Sequence, residues 1–217
     1  MMQIVLYSFR RCPYAMRARM ALHVAQIAVE HREIELKAKP QHLLSISPKG
    51  TVPVLWIKAG ELEEVVDQSL EIMKWSLARF DPEDWLAQGQ GIDSDVFDLI
   101  DKNDQVFKFN LDRYKYPHRF GLSDPMPFRV AGTLFLEELE HMLTQNNYLF
   151  GAHRGIADVA IMPFVRQFSR VDPTWFESLP LKHLRAWLAN LENSELFVSI
   201  MARRPIWSES QLAPQCT

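Results

Sequence analysis

The pattern of apolar residues changes once along this chain, and that change constrains the fold more than any single motif. Through the first eighty residues, strands and helices alternate. Ile4 to Phe9 reads as a short strand. Met16, Met20, Val24 and Ile27 recur at helical spacing, so Tyr14 to Ile27 reads as a helix with one buried face, and Arg17 and Arg19 lie off that stripe. His31 to Leu36 alternates, with Ile34 and Leu36 on one side and Glu33 and Glu35 on the other, the pattern of a half-buried strand. A short helix over Pro40 to Ile46, a strand over Thr51 to Ile57, a hairpin partner over Glu63 to Val66 and a helix from Gln68-Ser69 follow. The order is β-α-β-α-β-β-α, a βαβ unit with a hairpin and a closing helix.

Asp81-Pro82-Glu83-Asp84 breaks this pattern, and beyond it only helical spacing remains. Val96, Ile100, Phe107 and Leu111 mark one long helix; Phe135, Leu139 and Met142 mark another that stops near Asn146-Asn147. Ala157 to Phe168 is apolar on nearly every side and should be buried. Leu181 to Leu191 and Glu195 to Met201 supply two more helices, and the tail from Pro205 reads as irregular. The expected division is residues 1–80, a linker over 81–90, and an all-helical part over 91–217; the length suffices for two cores.

With a net charge of −3, the chain offers no electrostatic case for nucleic acid or an anionic membrane. No apolar run approaches the ~20 residues that span a bilayer, and no signal-peptide pattern opens the sequence. Cys12 and Cys216 make no disulfide framework, so a reducing, cytoplasmic setting is expected. Cys216 reads as an exposed, incidental thiol. The histidines show no metal-ligand spacing, and no metal site is expected.

The chemistry points to Arg10-Arg11-Cys12-Pro13-Tyr14-Ala15, where the first strand hands over to the first helix. Proline suits the first helical position, because its missing N–H would have no intrahelical partner. The positive end of the helix dipole, free backbone N–H groups and guanidinium charge all favour a thiolate at Cys12. The alternative is a buried structural cysteine, against which the two arginines argue. Ala15 stands where a second cysteine would close a disulfide, so a mixed disulfide on Cys12 needs an outside thiol to resolve it.

Three further segments carry weaker signals. Pro53, in Thr51-Val52-Pro53-Val54, removes a ladder donor and must lie at an edge, at a strand start or in a special peptide; an edge strand is the reading the sequence favours. A cis bond there would turn the Val52 backbone N–H and C=O outward. Gln68-Ser69 at a helix start can hold a carboxylate, or can merely cap the helix. Phe107 to Phe120 mixes aromatic and basic residues, as a nucleic-acid patch would, but the net charge favours a helix face lining a cleft.

Cys-Pro-Tyr-Ala after strand 1, Lys37-Ala38-Lys39-Pro40, Pro48-Lys49-Gly50-Thr51-Val52-Pro53-Val54-Leu55, Gln68-Ser69-Leu70-Glu71-Ile72 and Gly155-Ile156-Ala157-Asp158-Val159-Ala160-Ile161 occur in that order. Together they resemble the cytosolic glutathione transferases over essentially the whole chain, in particular the cysteine-containing omega and dehydroascorbate-reductase groups and the related two-domain glutaredoxins. The resemblance implies an α/β thioredoxin-like N-terminal domain, an all-α C-terminal domain, glutathione as co-substrate and a homodimer. It implies that Cys12 faces the glutathione sulfur, that Val52 before Pro53 pairs with its cysteinyl backbone, that Gln68 and Ser69 hold its γ-glutamyl end, and that Lys39 faces its glycine carboxylate. It makes Tyr114 and Tyr116 candidates for the acceptor pocket. The implied activity is thiol transfer or reduction through Cys12. Conjugation to an electrophile with Tyr7 or Ser8 activating the glutathione thiol is the alternative within the family, and a non-catalytic binding protein is the alternative outside it. Two departures stand out: Gln68 occupies a position where many members carry an acid, and Gly155 replaces the usual Ser or Thr of a capping box whose Asp158 is kept.

Overall fold

Strand β1 (Met2–Ser8) is apolar at successive positions because both of its faces are covered. In the computed structural model, which describes residues 2–86 and 93–208, it pairs in parallel with β2 (Glu30–Glu33) and antiparallel with β3 (Val54–Ala59), which in turn pairs antiparallel with β4 (Leu62–Val66). The sheet order is β2-β1-β3-β4. Val5, Tyr7, Val54 and Trp56 point to one face, where Leu43 of α2 (Gln41–Ile46) packs. Leu6, Leu55 and Ile57 point to the other, against Ala18 and Leu22 of α1 (Pro13–Val24) and Ile72 of α3 (Ser69–Leu77). This is the expected thioredoxin-like unit. It takes in the described chain up to Pro82 together with the segment from Val198 to Ser208.

Three expectations need correction. Helix α1 is buried nearly all round, not along one stripe, and Arg17 and Arg19 are 0% and 5% exposed. The helix is enclosed, so its polar positions had to find partners inside. The strand expected from Thr51 begins only at Val54, because the Val52–Pro53 peptide is cis and proline has no N–H for the ladder. Nor is this an edge strand: β3 lies between β1 and β4, and the proline stands just ahead of a central strand. Finally, β2 ends at Glu33, which is buried, while Leu36 is 47% exposed, so the alternation read across His31 to Leu36 does not hold to its end.

The described start of the tail read as irregular, up to Ser208, returns to this sheet, and residues 209–217 lie outside the described residues. Ile206 bridges in parallel to Glu33, and the Trp207 N–H donates to the Glu33 carbonyl at 2.8 Å.

The second unit, Glu83 to Phe197, is helical. Helix α4 (Asp93–Lys102) runs through a π-helical turn (Asn103–Phe107) into α5 (Lys108–Lys115); α6 (Met126–Leu143), α7 (Ile156–Ser169), α8 (Pro173–Ser178) and α9 (Lys182–Glu192) follow. The last helix, α10 (Glu195–Ile200), leads out of it. Its core is aromatic: Phe107, Phe135 and Tyr114 lie within 4.9–5.2 Å of a neighbouring ring in a cluster around Phe168. The buried helix expected over Ala157 to Phe168 is α7, enclosed along its length. Its start is set by Asp158, which accepts from the N–H groups of Gly155 (2.9 Å) and Leu149 (3.0 Å) and from Trp187 Nε1 (2.8 Å). Gly155 has no side chain to return the bond, so only half of a capping box exists here. Within the segment expected as a linker, Trp85 is fully buried, with Nε1 donating to Glu83, which Arg154 also holds. Residues 87–90 of that segment and Cys216 lie outside the described residues.

Candidate active site

Cys12 occupies the N-cap of α1, with extended backbone (φ −74°, ψ 122°) and Pro13 as the first helical residue. Its carbonyl accepts the Met16 N–H at 3.0 Å, so the positive end of a twelve-residue helix lies at the cysteine. The side chain is half-buried. Sγ donates to the Val52 carbonyl at 3.5 Å, across from the cis peptide. That contact belongs to the neutral thiol, and ionisation gives it up.

The loop carrying Cys12 is tied down from three directions. Its own N–H bonds the Phe9 carbonyl at 2.9 Å. From β2, Glu33 accepts the Arg10 N–H at 2.6 Å. Burial pushes the Glu33 carboxyl up, but hydrogen bonds from His31 and from Arg10 outweigh it and hold the group below its usual range. From α1, the Arg19 guanidinium donates to Ser8 Oγ (2.6 Å), Phe9 O (3.4 Å) and Arg10 O (2.8 Å), and on its far side to Ile200 O (3.1 Å). It makes no ion pair within 4.0 Å among the described residues. Burial pulls it down to about 10, while the fields of Glu33 and Cys12 oppose that drop. Arg19 therefore remains a cation at neutral pH, and its field reaches the sulfur.

The arginines that sequence singled out act differently. Arg11 is exposed and lies over the Phe9 ring at 5.5 Å, while Arg10 contributes its backbone. The cation placed to act on Cys12 from within is Arg19, which the sequence reading left off the buried stripe. The available signal was the rest of that helix, where Ala15, Ala18, Ala21 and Leu22 leave no polar face for an arginine to occupy.

Gln68 is exposed at the N-cap of α3, where its side chain makes no capping bond. Ser69 is buried at the first helical position, and its Oγ accepts from Arg17 Nη1 at 3.4 Å. The plain capping reading is thus corrected: the hydroxyl meets α1 instead. One residue earlier, the Asp67 carboxylate is paired to Lys49 at 3.1 Å. Lys39 is exposed with Nζ beside Gly50, whose positive φ of +59° makes the turn before Val52.

Tyr7 and Ser8 are fully buried and engaged elsewhere. The Tyr7 hydroxyl accepts from Arg32 Nη1 (2.6 Å) and bonds His42 Nδ1 (2.7 Å); Ser8 Oγ is held by Arg19. In the helical unit, Tyr114 is 5% exposed against Phe168 and Trp175, and burial pushes its hydroxyl up despite Arg129. Tyr116 is half-buried under the Arg119 guanidinium at 4.2 Å. Part of the aromatic and basic mixture around them is engaged with itself: Arg113 lies 3.3 Å from the centre of the Phe109 ring, and Lys108 pairs with Asp112. Among the described residues no group of three or more His, Cys, Asp or Glu could hold a metal ion, and no helix is long and apolar enough to cross a membrane.

Two family models match this sequence: the glutathione S-transferase N-terminal domain over residues 6–84, and the glutathione S-transferase C-terminal domain over residues 135–190. A glutathione S-transferase omega-1 from Sus scrofa is 25% identical over 221 aligned positions, covering 98% of this chain and 82% of that protein. Among solved structures, glutathione transferase Omega 2C from Trametes versicolor superposes with a TM-score of 0.74 at 21% identity, over 91% of this chain and 92% of that one. A glutathione transferase family member from Pseudomonas fluorescens, solved with two glutathione bound, gives 0.77 at 16% identity, over 92% of each chain. At those identities the structures speak for the fold.

Proposed function

The chain belongs to the glutathione S-transferase family, and from that premise we propose that it is a glutathione-dependent thiol transferase or reductase working through Cys12. The observation that carries this reading is the setting of Cys12: a half-buried thiol at a helix N-terminus, in a loop clamped by a buried guanidinium that makes no ion pair among the described residues. The Cys12 thiolate attacks the glutathionyl sulfur of a mixed disulfide. The new S–S bond joins Cys12 to glutathione, and the other thiol leaves as thiolate with the electron pair. A second glutathione thiolate then attacks that disulfide, giving oxidised glutathione and restoring Cys12. With alanine at position 15, no C-x-x-C partner competes in the second step.

The roles proposed for the remaining residues are those that the family resemblance implies. The backbone of Val52, whose carbonyl Sγ already touches, pairs with the cysteinyl part of glutathione beside Pro53. Gln68 and Ser69, at the N-terminus of α3, take the γ-glutamyl carboxylate. Lys39 takes the glycine carboxylate as an exposed ammonium. Conjugation by Tyr7 or Ser8 is less well supported, since both hydroxyls are buried and bonded to Arg32, His42 and Arg19.

Mass spectrometry after incubation with oxidised glutathione tests the nucleophile: one glutathionyl group on the Cys12 peptide is expected, and none in Cys12→Ser. Full turnover of a glutathione mixed disulfide by Cys12→Ser would sink the mechanism. The alkylation rate should rise with pH through a midpoint below the ~8.5 of free cysteine.

A further inference from the structure

A cavity of about 460 Å³ opens just outside the carboxyl ends of the parallel strands β1 and β2, bounded by the loop that carries Cys12, by the chain after Glu33 and by the returning tail. Ligands of sheets with parallel strands collect at this end, because the strands release there into loops whose backbone and side chains converge. Four cations line the cavity: Arg10, Arg11, Lys37 and Arg204. Its two acids are Glu33 and Glu35. Glu33 is already committed, accepting from His31 at 3.1 Å and from the Arg10 N–H. None of the four cations has a carboxylate within 4.0 Å among the described residues. A locally positive, concave surface thus sits on a chain whose net charge is −3. The rest of the lining includes Phe9 and Leu36, the latter 47% exposed. Cys12 follows Arg11 directly and packs against the same apolar cluster as Phe9.

We propose that this cavity receives the leaving half of the mixed disulfide and selects thiols that carry a carboxylate or a similar anion on a short apolar chain. The inference rests on the thiol-transfer reading above. The thiolate that departs when Cys12 takes the glutathionyl sulfur keeps its apolar stem against Phe9 and Leu36 and its anionic end among Lys37, Arg204 and the loop arginines. The negative charge adds affinity without touching the bonds that change.

The test compares two glutathione mixed disulfides of equal size, one made with 3-mercaptopropionate and one with its uncharged amide, 3-mercaptopropionamide. The parent protein should favour the carboxylate by about two- to thirtyfold in kcat/KM at low salt, the range that two partly exposed charge contacts supply. The preference should shrink as salt is added. The double variant Lys37→Ala/Arg204→Ala alters two exposed side chains. It should bring the preference towards unity through KM, leaving turnover of the amide within about twofold of the parent. Equal turnover of both disulfides by the parent, or an equal loss on both in the variant, overturns the cavity assignment alone. Turnover of neither disulfide by the parent overturns the thiol-transfer reading and this inference with it.

Discussion

Replacing Asp158 by alanine takes one acceptor group away from three buried donors at once. Oδ1 accepts from the Leu149 N–H and from Trp187 Nε1, and Oδ2 accepts from the Gly155 N–H. The carboxyl is 0% exposed, and burial pushes its pKa up in spite of these bonds, so part of what they contribute offsets the cost of burying charge. Each donor left without a partner costs about 1–3 kcal/mol. With some relaxation and water entry, the loss should total about 3–5 kcal/mol, the range for a broken buried network. Asparagine separates the contributions. Its carbonyl oxygen can stand in for Oδ1 and keep two bonds, while its amide N–H₂ faces the Gly155 N–H, donor against donor, at a cost of about 1–3 kcal/mol. A chain of two units need not unfold in one transition. Hydrogen exchange at the Leu149 and Gly155 amides therefore reads this unit directly. Exchange there should quicken about a hundred- to a thousandfold or more in Asp158→Ala and clearly less in Asp158→Asn. An alanine variant within about 1 kcal/mol of the parent, or an asparagine variant as unstable as alanine, would refute the assignment of this carboxylate as the anchor of α7.

Three further outcomes are expected. Arg19→Met removes the cation beside Cys12, so the alkylation midpoint of the thiol should move up in pH, with Arg19→Lys between it and the parent; an unchanged profile in the folded variants would show that the field is not felt. Burial holds His31 below its usual range against its bond to Glu33, so the unfolded chain takes up this proton first as pH falls. Stability should be full above about pH 6.5 and decline below it through the depressed value, and His31→Gln should flatten that part of the melting-temperature profile. A methyl at Gly132 would lie 2.6 Å from Cε2 and 3.0 Å from Cζ of Phe168, a ring held by Phe107, Tyr114 and Trp175; Gly132→Ala should cost about 1–3 kcal/mol in denaturant titrations, and a neutral result would mean that the ring yields.

The sequence alone determined the order of elements, the change from mixed to all-helical structure near Asp81, and Cys12 as a thiol at a strand-to-helix junction. These are local properties: spacing repeats every two or 3.6 residues, and Pro13 announces a helix start within one turn. It determined the burial of α7 for the same reason. Only the tertiary structure decided which charges matter. Arg19 meets Ser8, Phe9 and Arg10 nearby but Ile200 some 180 positions later, and Arg17 meets Ser69 across the chain. No spacing rule reaches that far, and an arginine in a helix reads as solvated until the helix is found enclosed. Tyr7 and Ser8 carried the right chemistry for a second mechanism, and folding bound both hydroxyls to other partners. The returning segment around Ile206 completed the cavity at the loop that carries Cys12, because an edge strand with open backbone groups accepts whatever segment the chain brings to it.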